Sequence, residues 1–214
     1  MIKYIKGELK LLREIVFGQL GWQNDFVGYE TLIEFIDKNK LYNLSGDFLE
    51  IGAFMGGGSK KLAKYAGKYG KKLHVIDLFD PDFDPTKNNR GEAMNVIYRK
   101  ILGQKNLREV FDKNTKDAKN IIVYNEDSKK IQLPADLKIC FAFVDGNHDP
   151  EYVKNDFNLV WNKTISGGVV AYHDYGGDLP QTTTAIKEMI EKNRATIEKT
   201  DLMTEKTIMF ITKK

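Results

Sequence analysis

Apolar residues recur in two rhythms along this chain. A helical rhythm sets Tyr4, Ile5, Leu9, Leu12 and Val16 on one face of residues 3–17, and Leu32, Ile33, Phe35 and Ile36 on one face of residues 29–40. Short apolar runs then end in polar clusters, at 47–51, 73–76, 121–124, 139–144 and 169–172, each the length of a buried strand. Helical patterns fall between them, at 60–68, 92–102 and 106–118, and again at 180–193. Asp149-Pro150-Glu151 opens a further helix with an N-cap, a proline suited to the first position and an acid at the positive end of the dipole. Val153, Phe157, Val160 and Trp161 line its buried face, and Gly167-Gly168 ends that segment. Two late strands, at 196–203 and 206–212, are joined so closely that only an antiparallel hairpin connects them. Strands alternating with helices predict an α/β fold: a Rossmann-like, doubly wound, mostly parallel seven-stranded sheet with a C-terminal antiparallel hairpin. Residues 1–44 read as an N-terminal helical addition and 45–214 as one globular unit.

Composition narrows the class of partner. The 33 basic and 30 acidic residues are interspersed and leave a net charge of +3, which gives no reason to expect nucleic acid. A single cysteine, Cys140, lies in an apolar run, so nothing calls for an oxidising compartment. There is no signal-like apolar stretch and no run near the roughly 18 apolar residues of a spanning helix. The expectation is a cytoplasmic protein with no membrane contact. The N-terminal helices offer a surface through which a homo-oligomer could form.

Open α/β sheets bind ligands beyond the carboxyl ends of their strands, and several such ends here carry chemistry. The first strand runs into EIGAFMGGGS, residues 50–59, whose glycines allow close backbone approach and whose next helix offers free N–H groups. Asp77, about 25 residues after Gly52, can accept hydrogen bonds from ribose hydroxyls. Asp127-Ser128 follows the third strand. Together they predict a nucleoside site. The spacing is E-x-G-x-x-x-G rather than G-x-G-x-x-G, and Glu50 would repel a pyrophosphate but pair with an ammonium. That favours a cationic nucleoside over a nicotinamide dinucleotide. The fourth strand ends in FVDGNHDPEY and the fifth in His173-Asp174. Neighbouring strands lie about 4.8 Å apart, so Asp145 should meet His173 and Asp174, with His148 on the turn above. A divalent ion there would hold two adjacent substrate oxygens and acidify the attacking hydroxyl, and a histidine would take the proton.

With Glu50, the spaced glycines, Asp77 and the terminal hairpin in place, residues 45–214 resemble the class I S-adenosylmethionine-dependent methyltransferases. The resemblance implies S-adenosylmethionine as cofactor, with Glu50 and Gly52 near its methionine part, Asp77 on the ribose and Asp127 near the adenine. Ala53, Phe54, Gly56, Ser59 and Ser128 would complete that site. The stretch from 143 to 175 is similar to a narrower group, the metal-dependent O-methyltransferases of the macrocin and sugar-tailoring type. Its motif, D-G-x-H-x-Y-x-x-V-x-x-D, then G-G, then an acidic or His-Asp pair, is met by Asp145, Gly146, His148, Val153, Asp156, Gly167, Gly168, His173 and Asp174. This implies Asp145, His173 and Asp174 as ligands of magnesium or manganese, His148 as base beside Asp145, and a small hydroxylated acceptor such as a sugar. Three positions depart from the pattern: His173 where a carboxylate is common, Pro150 in place of the tyrosine, and Gly58 where serine is common.

The alternative is a protein of the same fold that binds S-adenosylmethionine or a related nucleoside without turnover. G-N-H-D also occurs in metallophosphoesterases, but the early D-x-H of that pattern is missing. Residues 78–91, where Pro81 and Pro85 break up the run of Asp80, Asp82 and Asp84, read as a mobile lid. Trp22 and Phe26 could cover the pocket or pack into the core. His74 reads as structural, and Asp156 as an exposed or structural acid.

Overall fold

A computed structural model describes residues 27–214 together with Leu12, Arg13, Ile15 and Val16. The remainder of the helix expected over 3–17, and Trp22 and Phe26, lie outside the described residues. Seven strands form one sheet: β1 Asp47–Ile51, β2 Leu73–Ile76, β3 Ile121–Tyr124, β4 Ile139–Val144, β5 Thr164–Tyr172, β6 Ile197–Met203 and β7 Ile208–Lys213. Their order is β3-β2-β1-β4-β5-β7-β6. The pairs from β3 across to β5 are parallel, and β7 runs antiparallel to both β5 and β6. Only a short 3₁₀ turn, Thr204–Lys206, joins β6 to β7, which makes the hairpin obligatory.

Six helices accompany the sheet among the described residues: α1 Tyr29–Lys38, α2 Gly57–Gly67, α3 Met94–Leu102, α4 Leu107–Thr115, α5 Pro150–Trp161 and α6 Pro180–Lys192. Strand side chains alternate between the two faces. Phe48, Val75, Phe141 and Phe143 join Leu32 and Ile36 of α1 and Leu62 of α2 in one core. Leu49, Ala142, Val144 and Val170 join Phe157 of α5 and Ile186 of α6 in the other. Strand β4 is therefore apolar on both sides, as a parallel sheet covered on both faces requires. The helix at α5 starts as its sequence dictates: Asp149 Oδ1 accepts the Glu151 N–H at 2.9 Å, and Pro150 stands in the first turn.

Two boundaries differ from the sequence reading. Gly167 and Gly168 do not end a segment but lie inside β5. Gly167 has φ +76°, and a Cβ on Gly168 would lie 2.9 Å from Ile165 O and 3.2 Å from Cys140 O. The glycines let β5 pass tightly over β4 where the register slips between Ile139 and Phe141. Helix α2 starts at Gly57, because packing against the sheet overrides the poor helix propensity of its glycines.

Successive strands step one way from β1 through β2 to β3, and the other way from β4 to β5. The crevice between β1 and β4 is the topological switch point, where ligands bind in such sheets.

Candidate active site

A cavity of about 320 Å³ opens at that point. On one side stands the turn after β1. Gly52, at φ +85°, has no room for a Cβ, which would lie 2.0 Å from the carbonyl oxygen of Asp145. Glycine there lets the β1 and β4 ends touch, so the turn and the acid are placed by one contact. Asp77, at the end of β2, organises the same turn. Its Oδ2 accepts the N–H groups of Ala53 and Phe54 at 2.7 and 2.9 Å, and its Oδ1 that of Phe79 at 2.6 Å. Burial nevertheless raises the pKa of Asp77 above the usual carboxylate range. Gly52, Ala53, Phe54, Gly56, Asp77, Asp127 and Ser128 all line the cavity. Glu50 and Ser59 are fully buried and lie behind that lining. Neither Glu50 Oε2 nor Ser59 Oγ has a hydrogen-bond partner. Burial, above all, lifts Glu50 to about 7, with Asp77 and Asp145 adding to the rise and the Tyr29 hydroxyl opposing it.

The polar cluster stands opposite. His148 Nε2 is 2.9 Å from Asp174 Oδ2 and 3.8 Å from Asp145 Oδ1. His173 Nδ1 is 3.2 Å from both Asp145 Oδ1 and Asp174 Oδ2. One ligand atom from each of Asp145, His148 and Asp174 can be chosen so that all lie within 4.8 Å of one another. Asp174 holds φ +61°, a left-handed conformation costing a non-glycine residue about 1–2 kcal/mol. Its carbonyl accepts the Thr183 hydroxyl at 3.2 Å, which helps to fix it.

A residue far away in sequence joins this cluster. Asp84 Oδ2 is 2.6 Å from His148 Nδ1 and accepts the His148 backbone N–H at 3.3 Å. Both ring nitrogens of His148 therefore face carboxylate oxygens and both donate. Burial opposes a charge on this ring, but Tyr98 and the carboxylates Asp145, Asp174 and Asp84 outweigh it and hold the pKa well above its usual value. Burial likewise opposes the charge on His173, and Asp145 and Asp174 overcome it and push the pKa up to about 10. In turn Asp84, Asp145 and Asp174 are held below the usual carboxylate range in spite of their burial.

The loop expected to be a mobile lid reaches the cluster through Phe83 and Asp84. Asp84 is only 5% exposed, and Asn147 Nδ2 donates to Phe83 O at 3.2 Å. Asp156 is also not exposed: it is 1% accessible, lines the cavity, and burial raises it to about 6. Tyr152, which carries no expected role, lines the cavity and donates its hydroxyl to Asp127 Oδ2 at 3.3 Å. Tyr98 of α3 and Tyr29 of α1 complete the wall. His74 is held in β2 between Asp47 and Tyr124, away from the cavity.

A glycine turn and an acid–imidazole cluster thus share one cavity at the switch point, and the family comparison says what class of protein this is. Residues 49–175, over half of the 214, match the family model described as a methyltransferase domain. The chain belongs to that methyltransferase family. No curated protein matches it by sequence. Among solved structures, the O-methyltransferase NovP is 15% identical, with 93% of this chain and 88% of that one covered and a TM-score of 0.68. CalS11, calicheamicin methyltransferase, is 14% identical over 87% of this chain and 81% of its own, with a TM-score of 0.63. TomG of Streptomyces achromogenes, an O-methyltransferase, is 13% identical over 96% and 90%, with a TM-score of 0.58. These likenesses establish the seven-stranded fold.

Proposed function

We propose that the protein transfers a methyl group from S-adenosylmethionine to a hydroxyl of a small metabolite, with a divalent metal ion assisting. The observation that carries this reading is the placement of two half-sites across one cavity. The glycine turn with Asp77 faces the donor, and Asp145, His148, His173 and Asp174 face the acceptor. Asp77 would accept from the ribose hydroxyls while holding the turn, and Asp127 and Ser128 would border the adenine.

The donor set fits a metal. Asp145 and Asp174 offer two carboxylates, and the His173 imidazole lies 3.2 Å from an oxygen of each. Such a mixed oxygen and nitrogen set suits manganese at least as well as magnesium. When bound, the ion would draw two adjacent acceptor oxygens together and lower the pKa of the one that attacks. His148 would be the base in this reading once an ion on Asp145 and Asp174 has released the proton that its Nε2 otherwise donates to them. Asp84 holds its Nδ1, so Nε2 is the nitrogen turned toward Asp145 and Asp174. The acceptor oxygen bonds to the methyl carbon, the carbon–sulfur bond breaks, S-adenosylhomocysteine leaves, and the hydroxyl proton passes to Nε2. Phe54, Phe83, Met94, Ile97 and Tyr98 give the cavity an apolar flank. That flank suits an acceptor with an apolar face and two neighbouring oxygens, as a deoxysugar or a dihydroxyphenyl ring presents.

The test is transfer of labelled methyl from S-adenosylmethionine to a panel of sugars and phenols, with manganese, with magnesium and with a chelator. Transfer that the chelator abolishes supports the reading. Binding of S-adenosylhomocysteine with no transfer to any acceptor under any condition supports the non-catalytic alternative, and no binding refutes both.

A further inference from the structure

We propose that Tyr29, which lies outside the family-matched segment, is a donor-site residue that positions the amino-acid end of S-adenosylmethionine. The proposal rests on the donor reading above. Four observations meet at this side chain. Its ring fills the space beside Gly58: a Cβ on that glycine would lie 2.2, 2.3 and 2.5 Å from Tyr29 Cε2, Cζ and Cδ2. The ring also stands edge-on to Phe143, 5.2 Å between centroids. Its hydroxyl donates to Glu50 Oε1. Tyr29, Gly57 and Gly58 line the cavity, whereas Glu50 does not.

Glu50 is the one acid of the glycine turn that the sequence sets against an ammonium, yet it is sealed from the cavity with no exposure at all. Tyr29 links the two. A phenol that donates to a carboxylate carries extra electron density on its oxygen and ring, and both an acceptor oxygen and a π-face attract a cation. The first turn of α2 lies beside it, with no side-chain cap on its N–H groups. An amino acid has one group for each: the ammonium meets the phenol and the carboxylate meets the helix start. Tyr29 and Gly58 are then a matched pair, since any side chain at 58 evicts the ring.

Calorimetry with two ligands tests this. S-adenosylhomocysteine carries the amino-acid end; 5′-methylthioadenosine keeps the nucleoside and thioether and lacks that end. Tyr29→Ala should weaken S-adenosylhomocysteine by about tenfold or more and leave methylthioadenosine unchanged. Tyr29→Phe, which keeps the ring and loses the bond to Glu50, should fall between wild type and Tyr29→Ala. Gly58→Ala should reproduce the Tyr29→Ala loss, and the double variant should lose no more than either alone. Equal binding of S-adenosylhomocysteine by wild type and Tyr29→Ala overturns the proposal, and so does a parallel loss for both ligands, which marks a packing role. Wild-type protein that binds neither ligand refutes the donor reading itself.

Discussion

Glu50 gives a prediction whose size follows from the structure. Its carboxyl has no exposure, one oxygen takes the Tyr29 hydroxyl, and the other has no partner. Burial moves it from 4.5 to about 7. Between those values the folded protein keeps a proton that the unfolded chain has released, so stability falls as pH rises through the window and is level above it. The full cost at pH 8 is about 3 kcal/mol. Glu50→Gln keeps the shape and removes the titration. It also places an amide nitrogen where Oε2 now has no partner, at a cost of about 1–3 kcal/mol at every pH. The variant should therefore be less stable than wild type at pH 5 and match or exceed it at pH 8. The swing between the two conditions should be about 2–3 kcal/mol. Urea unfolding of both proteins at both pH values measures it. Asp77 and Asp156, which also titrate, are shared and largely cancel in the double difference. A variant-minus-wild-type difference that stays within about 0.5 kcal/mol across the two conditions would refute the reasoning.

The remaining predictions concern how the cluster is assembled. Gly52→Ala sets a methyl group 2.0 Å from the Asp145 carbonyl oxygen at φ +85°, which should cost roughly 2–5 kcal/mol in urea unfolding. A loss under about 1 kcal/mol would mean that the β1 and β4 ends part easily. Asp84→Asn removes a carboxylate that keeps His148 charged, so the His148 ring should titrate at lower pH in NMR. An unshifted ring would deny the pairing. Manganese must displace protons from His173, which holds one up to about 10, and from His148. Its affinity should therefore rise with pH, and calorimetry in buffers of different ionisation enthalpy should show proton release. Binding that is independent of pH and releases no proton would contradict the assigned cluster.

The fold was legible because its signals are local and repeated. Strands β1 to β4 are apolar runs bounded by turns, and Asp149-Pro150 announces α5 from its own chemistry. The pairing of Asp145 with His173 and Asp174 was legible for a different reason. Adjacent strand ends must meet, so sequence positions 28 apart become neighbours by topology alone. Gly167-Gly168 misled because glycine marks both a turn and a tight strand crossing, and only the register slip against β4 separates them.

Asp84 and Tyr29 were not legible as site residues, and their cases share a cause. Asp84 stands 64 positions before His148, in a loop with no strand to fix where it points. Among Asp80, Asp82 and Asp84 no pattern selects the third. The selection comes from His148 Nδ1, which needs an acceptor once Nε2 faces Asp174. Tyr29 sits on a helix whose apolar stripe already explains it as core, and it is core: 5% exposed against Phe143. What adds a second role is Gly58, whose missing side chain opens the space that the ring fills. Glycine in the turn looked like freedom for a ligand to approach the backbone. At Gly52 and Gly58 that freedom is already used by the protein itself, once for the Asp145 carbonyl and once for the Tyr29 ring. Both uses move chemistry toward the cavity, so the glycines shape the site by what they admit from elsewhere in the chain.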